Sequence, residues 1–586
     1  MNWNSKEFIW LDWTILIVGI IAVIWAVWRA VQKDKRMQQG ESSEDYLFGK
    51  GEPWYIIGAA IFAANIGSEH LVGLAGTGAK SGVGMAHWEM QGWMILLLGW
   101  LFVPFYQLLN NKMGKIITMP DFLKYRYTQR TGSWLSIITL IAYILTKVSV
   151  TAYTGGIFLE FLLGLPFWYG AIGLIVLTGI FTVLGGMKGV MTLSAIQTPI
   201  LIIGSFLVLF LGLAALGGGS ISTGWTEMME HARSAMNVGA DGHAYGANHM
   251  FHWTESDPMY QDYPGFWVFI GASIIGFWYW CTDQFIVQRV LSGKNEKEAR
   301  RGTIFGAYLK LLPVFLFLIP GMIAFALHQK YIGAGGEGFL PMLANGTANA
   351  DAAFPTLVAK LLPAGVKGLV VCGILAALMS SLASLFNSSA MLFTIDFYKR
   401  FRPETPEKKL VGIGQIATVV IVILGILWIP IMRSVGDVLY TYLQDVQSVL
   451  APGIAAAFLL GICWKRTSAQ GGMWGLIAGM IIGLTRLGAK VYYSNAGEVA
   501  DSTFKYLFYD MNWLFFCGWM FLFCIIVVIV VSLATEAPTA EKIQGLVFGT
   551  ATKEQKAATR ASWDHWDIIH TVIILAITGA FYWYFW

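Results

Sequence analysis

Residues 54–77 read WYIIGAAIFAANIGSEHLVGLAGT, and this stretch decides the fold of the chain. Its length and apolar character match a membrane-spanning helix, which needs about 20 mostly apolar residues. The polar run from Asn65 to His70 interrupts the stretch halfway across. Such a run predicts a helix that unwinds within the membrane and frees backbone carbonyl groups to bind a cation. The alternative interpretation is a kink that neighbouring helices stabilise.

The composition of the whole chain indicates a membrane protein. Of its 586 residues, 56% are hydrophobic and 13% are charged, and the mean hydropathy is +0.60. A soluble domain carries about 25% charged residues, so the excess of apolar side chains must face lipid. The first apolar run, 13–31, is followed by Lys33, Lys35 and Arg36, which predicts a retained spanning helix rather than a signal peptide. No basic stripe suited to nucleic acid lies outside the short loops.

The apolar runs predict an all-α membrane protein with about fourteen transmembrane helices. With both the N-terminus and the C-terminus outside, 27 of the 39 Lys and Arg residues fall in cytoplasmic loops and 10 in outer loops. This bias agrees with the positive-inside rule and supports the count. The predicted spans are 11–32, 54–77, 84–109, 134–163, 166–185, 189–217, 264–288, 303–328, 366–397, 410–435, 437–462, 470–489, 511–535 and 565–586.

Several charged side chains fall within these spans, where a charge at the bilayer centre costs at least about 2.5–3.5 kcal/mol. Glu89, beside Trp88, suits a sugar, whose hydroxyl groups need strong acceptors and whose ring faces need aromatic surfaces. A solvated glutamate at the mouth of the span is the alternative. Lys310 needs an acceptor, which a sugar hydroxyl or Glu89 could provide, and a purely structural ion pair is the alternative. Tyr279 lies in an aromatic cluster that could stack on a pyranose or simply pack the core.

Hydroxyl groups in the ninth span suggest a cation site. Ser380 and Ser381 could offer hard oxygen ligands, although serines also mediate helix packing. Gln444 and Asp445 place further polar groups at depth in the eleventh span. The sequence contains no phosphate-binding loop, catalytic triad or metal-ligating cluster. We therefore expect neither an enzyme nor an ATP-driven pump, and no organic cofactor.

Four strings together resemble the sodium/glucose cotransporter family of solute:sodium symporters, and the resemblance runs from about Tyr46 to Leu484. The four strings are Asn65 to Gly78, Trp278 to Arg289, Tyr308 to Leu311 and Ser380 to Ser388. The resemblance implies a LeuT-type core of two inverted five-helix repeats, with substrate bound near the midplane where the first helix of each repeat is broken. The expected units are a first span and loop (1–45), the first repeat (46–217), an outer loop (218–263), the second repeat (264–462, with an outer segment at 329–365) and three additional spans (463–586, with a cytoplasmic loop at 537–563).

The resemblance also implies roles for individual residues. The expected sugar contacts are Asn65, His70, Glu89, Trp280, Lys310 and Gln444, together with Tyr279, which is also the expected inner gate. The expected outer gate consists of Leu74, Trp88 and Tyr440. The expected sodium ligands are the carbonyl groups of Ala63, Ile66 and Ala377 and the hydroxyl groups of Ser380 and Ser381.

Some positions depart from the family pattern. Ser194 stands where some relatives place an aspartate that holds a second sodium, so we expect one sodium per sugar. Gly276 stands where relatives often carry Asn or Thr near the sugar, which leaves the fine specificity open. Glu69 and Asp445 are additional acids to which the resemblance assigns no role.

The function expected from these residues is sodium-driven symport of a hexose, glucose or galactose, by alternating access. A symporter for myo-inositol or another polyol is an alternative, and a sodium-gated sugar sensor is another. The expected location is a plasma membrane, more specifically a bacterial inner membrane. The expected partners are a small sugar and the lipid bilayer, without nucleic acid, and the sequence does not indicate an oligomeric state.

Overall fold

The structure is a computed structural model that describes residues 8–37, 51–67, 69–113, 118–343, 346–435, 439–495 and 501–586. Over these residues it is helical, and β contacts are limited to four isolated bridges. Its α-helices of seven or more residues are α1 (Trp10–Met37), α2 (Trp54–Asn65), α3 (Ala75–Ser81), α4 (Val103–Met113), α5 (Met119–Arg126), α6 (Gln129–Ala142), α7 (Ser149–Leu163), α8 (Phe167–Leu216), α9 (Ile221–Ser234), α10 (Trp267–Phe277), α11 (Gln284–Leu291), α12 (Glu296–Lys310), α13 (Ile319–Gly333), α14 (Ala353–Leu361), α15 (Val366–Met391), α16 (Glu407–Val435), α17 (Leu439–Cys463), α18 (Ala469–Asn495), α19 (Trp513–Ala534), α20 (Lys553–Ala561) and α21 (His565–Tyr584).

Segments of π-helix interrupt or extend many of these helices. Wider helical turns of this kind are frequent at functional sites. In the described part of the chain they are Glu69–Leu74, Leu98–Phe102, Tyr143–Val148, Trp278–Thr282, Val314–Leu318, Leu392–Tyr398 and Tyr506–Asp510.

The helices bear out the predicted membrane architecture but not the predicted number of spans. Among the described residues, ten helical stretches are long and apolar enough to cross a membrane, or eleven when the bent pair Trp54–Asn65 and Glu69–Ser81 counts as one span. Part of the difference from fourteen lies in α8, a 50-residue stretch that contains Gly186 at φ 52° and ψ −154°. The predicted spans 166–185 and 189–217 therefore lie on either side of a break in one continuous stretch. Two further apolar helices, Ser149–Leu163 and Trp267–Thr282, are shorter than a full span.

The first helix break lies where the polar run predicted it. Helix α2 ends at Asn65 because Ile66 adopts an extended backbone, with φ −81° and ψ 103°. The chain becomes helical again at Glu69, and the two parts are bent by 62°. A Cβ atom at Gly67 would lie 2.3 Å from Glu69 Oε2, so a larger residue at this position would displace the end of the Glu69 side chain.

A second break follows the π-helix Trp278–Thr282. Asp283 is extended, with φ −77° and ψ 128°, and its side chain accepts the N–H of Phe285 in the first turn of α11. A carboxylate in this position compensates the unpaired N–H groups and the positive dipole end of the new helix. The two breaks thus interrupt α2 and α10 in the two segments that the sequence predicts to open the repeats.

Helix α15 crosses the interior of the molecule and packs against α1, α2 and α8. Its N-terminus is capped by a residue from far away in the sequence. Asp12 in α1 is buried, and its Oδ1 accepts the N–H groups of Gly365 at 2.7 Å and Gly368 at 3.2 Å. A Cβ at Gly368 would lie 2.4 Å from Asp12 O, so the two helices approach closely at this point. Helix α1 therefore fixes the end of the helix that carries Ser380 and Ser381.

Candidate substrate and cation site

A cavity with about 650 Å³ of empty space lies beside the two helix breaks. All seven predicted sugar contacts line it, namely Asn65, His70, Glu89, Tyr279, Trp280, Lys310 and Gln444. The predicted gate residue Trp88 and the predicted sodium ligand Ser381 line it as well. The fold thus brings together residues from six of the predicted spans.

A buried ion pair lies in the wall of this cavity. Lys310 Nζ lies 2.6 Å from Glu89 Oε2 and donates a hydrogen bond to Asn65 Oδ1 at 3.0 Å. Both charged side chains are almost entirely buried, at 4% and 1% exposure. An ammonium group has three donors, so one N–H of Lys310 stays available for a ligand oxygen. Of the two acceptors considered from the sequence, Glu89 is the one that Lys310 contacts.

Asn65 connects the ion pair to the predicted inner gate. Its Nδ2 donates to the hydroxyl of Tyr279 at 3.3 Å, while its Oδ1 accepts from Lys310. Asn65 is the last residue of α2, so its side chain projects from the edge of the helix break. The first broken helix, the gate on the second broken helix and the buried lysine are therefore linked through one amide.

Several buried polar atoms around the cavity have no hydrogen-bond partner among the residues that the structure describes. They include both ring nitrogens of His70, Trp88 Nε1, Gln444 Oε1 and Glu69 Oε2. His70 Nε2 lies 3.4 Å from Glu89 Oε1, but the contact is not aligned as a hydrogen bond. Unsatisfied buried polar groups are rare, because each one costs about 1–3 kcal/mol. The cavity wall therefore offers both donors and acceptors to a ligand with several hydroxyl groups.

Gln91 is a cavity residue to which the sequence assigned no role. Its Oε1 accepts the indole N–H of Trp280 at 3.2 Å, and its Nε2 donates to Ala272 O at 2.7 Å. A Cβ at Gly276 would lie only 2.4 Å from Gln91 Oε1, so the glutamine occupies the space beside that glycine. The absence of a side chain at Gly276 is thus compensated from the facing helix. In the sequence, the feature that pointed to Gln91 is an amide side chain within a spanning segment, two residues after Glu89.

A second buried ion pair, also without an assigned role, adjoins the predicted inner gate. Lys147 Nζ lies 2.7 Å from Asp283 Oδ2 and 4.4 Å from the ring centre of Tyr279. The hydroxyl of Tyr143 donates to Asp283 Oδ1 and accepts the N–H of Phe285 at 3.0 Å. The second helix break is therefore tied to the π-helix Tyr143–Val148 directly beside the gate. A lysine and an aspartate in two apolar spans were the signal, because opposite charges in lipid must pair.

The predicted sodium ligands lie where α2 ends against α15. All five are buried, namely Ala63, Ile66, Ala377, Ser380 and Ser381. Ser381 Oγ donates to Ala64 O at 3.4 Å, so the serine pair faces the last turn of the broken helix. The carbonyl groups in this turn lack the full set of intrahelical partners and carry the negative end of the helix dipole. Hydroxyl and carbonyl oxygens of this kind suit a small hard cation.

The three residues of the predicted outer gate do not lie together around the cavity in the described part of the structure. Trp88 stacks on Trp513, with ring centres 5.6 Å apart. Leu74 is buried at the end of the π-helix Glu69–Leu74 and does not line the cavity. The side chains of Tyr440 and Asp445 lie outside the described residues.

Known proteins resemble this chain over most of its length. The model of the sodium:solute symporter family matches residues 46–479. Sodium/myo-inositol cotransporter 2 of Mus musculus is 35% identical over 544 residues, which cover 92% of this chain and 79% of that protein. Sodium/glucose cotransporter 1 of Sus scrofa is 36% identical over 538 residues, which cover 89% and 78%.

A solved structure of a Na⁺-coupled sialic acid symporter, in a substrate-bound outward-open state, has a TM-score of 0.69. The two sequences are 21% identical, and the match covers 91% of this chain and 100% of that one. This likeness supports the fold, which is of the LeuT type. The chain belongs to the sodium:solute symporter family and is therefore a sodium-coupled solute transporter rather than an enzyme.

Proposed function

We propose that the protein transports a neutral hexose, glucose or galactose, together with one sodium ion by alternating access. The observation that carries this proposal is the set of unpartnered donors and acceptors around the cavity, next to the aromatic rings of Tyr279 and Trp280. A pyranose supplies hydroxyl groups for the polar atoms and apolar ring faces for the aromatic rings. The Lys310–Glu89 pair is neutral overall, which favours an uncharged ligand over an ionic one.

Sodium would bind between the end of α2 and the Ser380–Ser381 pair. A cation there would hold the two helices together and favour the state in which the cavity accepts sugar from outside. The membrane potential adds about 2.3 kcal/mol per charge per 100 mV, which drives the inward step. We propose one sodium per sugar because Ser194 offers no carboxylate for a second ion.

Myo-inositol is a second candidate substrate, because one of the similar relatives is named as a sodium/myo-inositol cotransporter. A cyclohexane polyol presents ring hydroxyl groups and apolar ring faces, as a pyranose does, but lacks the ring oxygen and the hydroxymethyl group of a hexose. The two candidates are separated by sodium-driven uptake of labelled galactose into proteoliposomes, with unlabelled glucose, galactose or myo-inositol as competitor. We expect competition by both hexoses at lower concentration than by myo-inositol. The reverse order would assign the transporter to inositol, and sugar-dependent current without uptake would indicate a sensor.

Two variants test the assigned sites separately. Gln444→Ala removes a cavity side chain whose Oε1 has no hydrogen-bond partner in the described part of the chain, so we expect it to abolish or strongly weaken sugar uptake. Ser381→Ala removes a proposed sodium ligand, so we expect loss of activity or of its sodium dependence. The half-saturating concentrations of sodium and sugar, measured in the same vesicles, distinguish the two effects. An unchanged sugar affinity in Gln444→Ala would contradict the assigned sugar site.

A further inference from the structure

Two buried serines from different helices meet beside the proposed sodium site. Ser194 Oγ in α8 lies 2.7 Å from Ser380 Oγ in α15, and both residues are fully buried. One turn further along α8, Thr198 Oγ lies 3.3 Å from Ala59 O in α2. Helix α8 therefore contacts both helices that hold the proposed sodium ligands.

The hydrogen-bond partners fix the direction of the bond between the two serines. Ser194 Oγ also lies 2.8 Å from Val190 O, one turn back in its own helix. A carbonyl oxygen can only accept, so the single hydroxyl proton of Ser194 is used in that bond. Either serine could donate in the bond between them, but both bonds of Ser194 can form at once only if Ser380 supplies that proton.

The consequence concerns the lone pairs of Ser380. Once its proton points to Ser194, the Ser380 oxygen turns its acceptor side away from α8. Among the described residues, Ser194 is the one hydrogen-bond partner of the Ser380 hydroxyl, so no described donor occupies the lone pairs of Ser380. A cation requires an oxygen in this orientation, because a hydroxyl proton aimed at the ion would repel it.

We propose that Ser194 is a positioning residue that orients the Ser380 hydroxyl so that its lone pairs face the co-transported sodium ion. The proposal rests on the sodium site described above. It gives Ser194 a role that differs from that of an acidic ligand, since its oxygen accepts a hydrogen bond from the Ser380 hydroxyl and does not itself bind the ion. Tight packing between α8 and α15 alone would require small side chains but no particular direction of the hydrogen bond.

The test uses purified full-length protein and four variants. Ser194→Ala removes the acceptor, Ser194→Thr keeps a hydroxyl, and Ser194→Cys replaces the oxygen with a weak sulfur acceptor of similar size. Ser205→Ala is the matched control, because Ser205 is a fully buried serine of α8 whose hydroxyl has no partner among the described residues. Two quantities are measured: the sodium-dependent rise in melting temperature without sugar, and the half-saturating concentrations of sodium and sugar in uptake.

We expect Ser194→Ala to raise the half-saturating sodium concentration about three- to tenfold, as suits the loss of one orienting hydrogen bond. The half-saturating sugar concentration, measured at saturating sodium, should stay unchanged. Ser194→Cys should fall between Ser194→Ala and the wild type, whereas Ser194→Thr and Ser205→Ala should stay close to the wild type. The sodium concentration needed for half of the thermal shift should change in parallel.

Equal sodium responses of Ser194→Ala, Ser194→Cys and the wild type would overturn the proposal, and so would a Ser205→Ala shift as large as that of Ser194→Ala. Both results leave the sodium site itself intact. If the wild type shows no sodium-dependent thermal shift and no sodium-dependent uptake, the proposed function fails together with this inference. The wild-type response therefore distinguishes the two failures.

Discussion

At the scale of single residues, the sequence was most informative where a polar group lies in an apolar span. Asn65, Glu89 and Lys310 stand out for this reason, and the structure brings them into one hydrogen-bonded chain. Their roles as sugar contacts stay predictions. The place of Gln91 in the cavity was not predicted, because it depends on the missing side chain at Gly276 in another helix. A compensation between two helices cannot be read from either segment alone.

The Lys310–Glu89 pair supports a prediction that separates stability from transport. Removing one partner of a buried pair leaves an uncompensated charge and costs about 3–5 kcal/mol, whereas replacing both by neutral groups costs much less. We therefore expect Lys310→Met to lower the melting temperature and abolish uptake. The double variant Lys310→Met/Glu89→Gln should regain most of the melting temperature but no uptake.

Thermal unfolding in detergent and vesicle uptake measure these two effects. Lys330→Met/Glu227→Gln is a suitable control, because the side chains of that pair are 45% and 33% exposed and a solvent-exposed pair contributes at most about 1 kcal/mol. Transport by the double variant at wild-type rate would show that the buried pair only stabilises the protein.

At the scale of helices, the two breaks differ in how far the sequence revealed them. The break after α2 follows from a polar run that includes glycine. The break before α11 carries one acid, Asp283, within a strongly aromatic segment, and its place depends on Lys147 and Tyr143 from another span. The sequence indicated the second break through family resemblance, because long-range ion pairs leave no local pattern.

We expect the ion pair between Lys147 and Asp283 to hold the region around the second helix break closed. Asp283→Asn keeps an acceptor for the N–H of Phe285 but loses the ion pair, so we expect this region to open more often. Cys281 is fully buried two residues away and reports such opening. In a background with the other four cysteines replaced by serine, thiol labelling of Cys281 should be at least several-fold faster in Asp283→Asn.

The matched control is Asp121→Asn, in which a buried acid in α5 is neutralised. Labelling at the wild-type rate in Asp283→Asn would argue against a closing role for the ion pair. Equal acceleration in the two variants would indicate general loosening.

The cap of α15 by Asp12 predicts an effect on stability without an effect on affinity. Loss of a helix N-cap typically costs about 0.5–2 kcal/mol. We expect Asp12→Ala to lower the melting temperature, and Asp12→Asn, which keeps an acceptor oxygen, to lower it less. Half-saturating sodium and sugar concentrations should not change, because the cap lies far along the helix from Ser380. A large change in sodium affinity would mean that α1 takes part in the sodium site.

At the scale of the whole molecule, hydropathy and the distribution of Lys and Arg were sufficient for an all-helical membrane protein. The predicted number of fourteen spans stays unconfirmed, because ten or eleven helical stretches among the described residues are long and apolar enough to cross a membrane. Apolar runs record how much of the chain is in lipid, whereas continuous helix length also depends on π-helical turns and on glycines such as Gly186. The division into two inverted repeats and the outside position of both termini stay predictions.

The central claim is that sodium and a hexose share one buried path and that each needs the other to cross. The most direct test is uptake of labelled glucose or galactose into sealed proteoliposomes that are given an inward sodium gradient. We predict that the sugar accumulates above its outside concentration and that collapse of the sodium gradient abolishes the accumulation. Purified, folded protein that equilibrates or excludes both hexoses under these conditions would contradict the account.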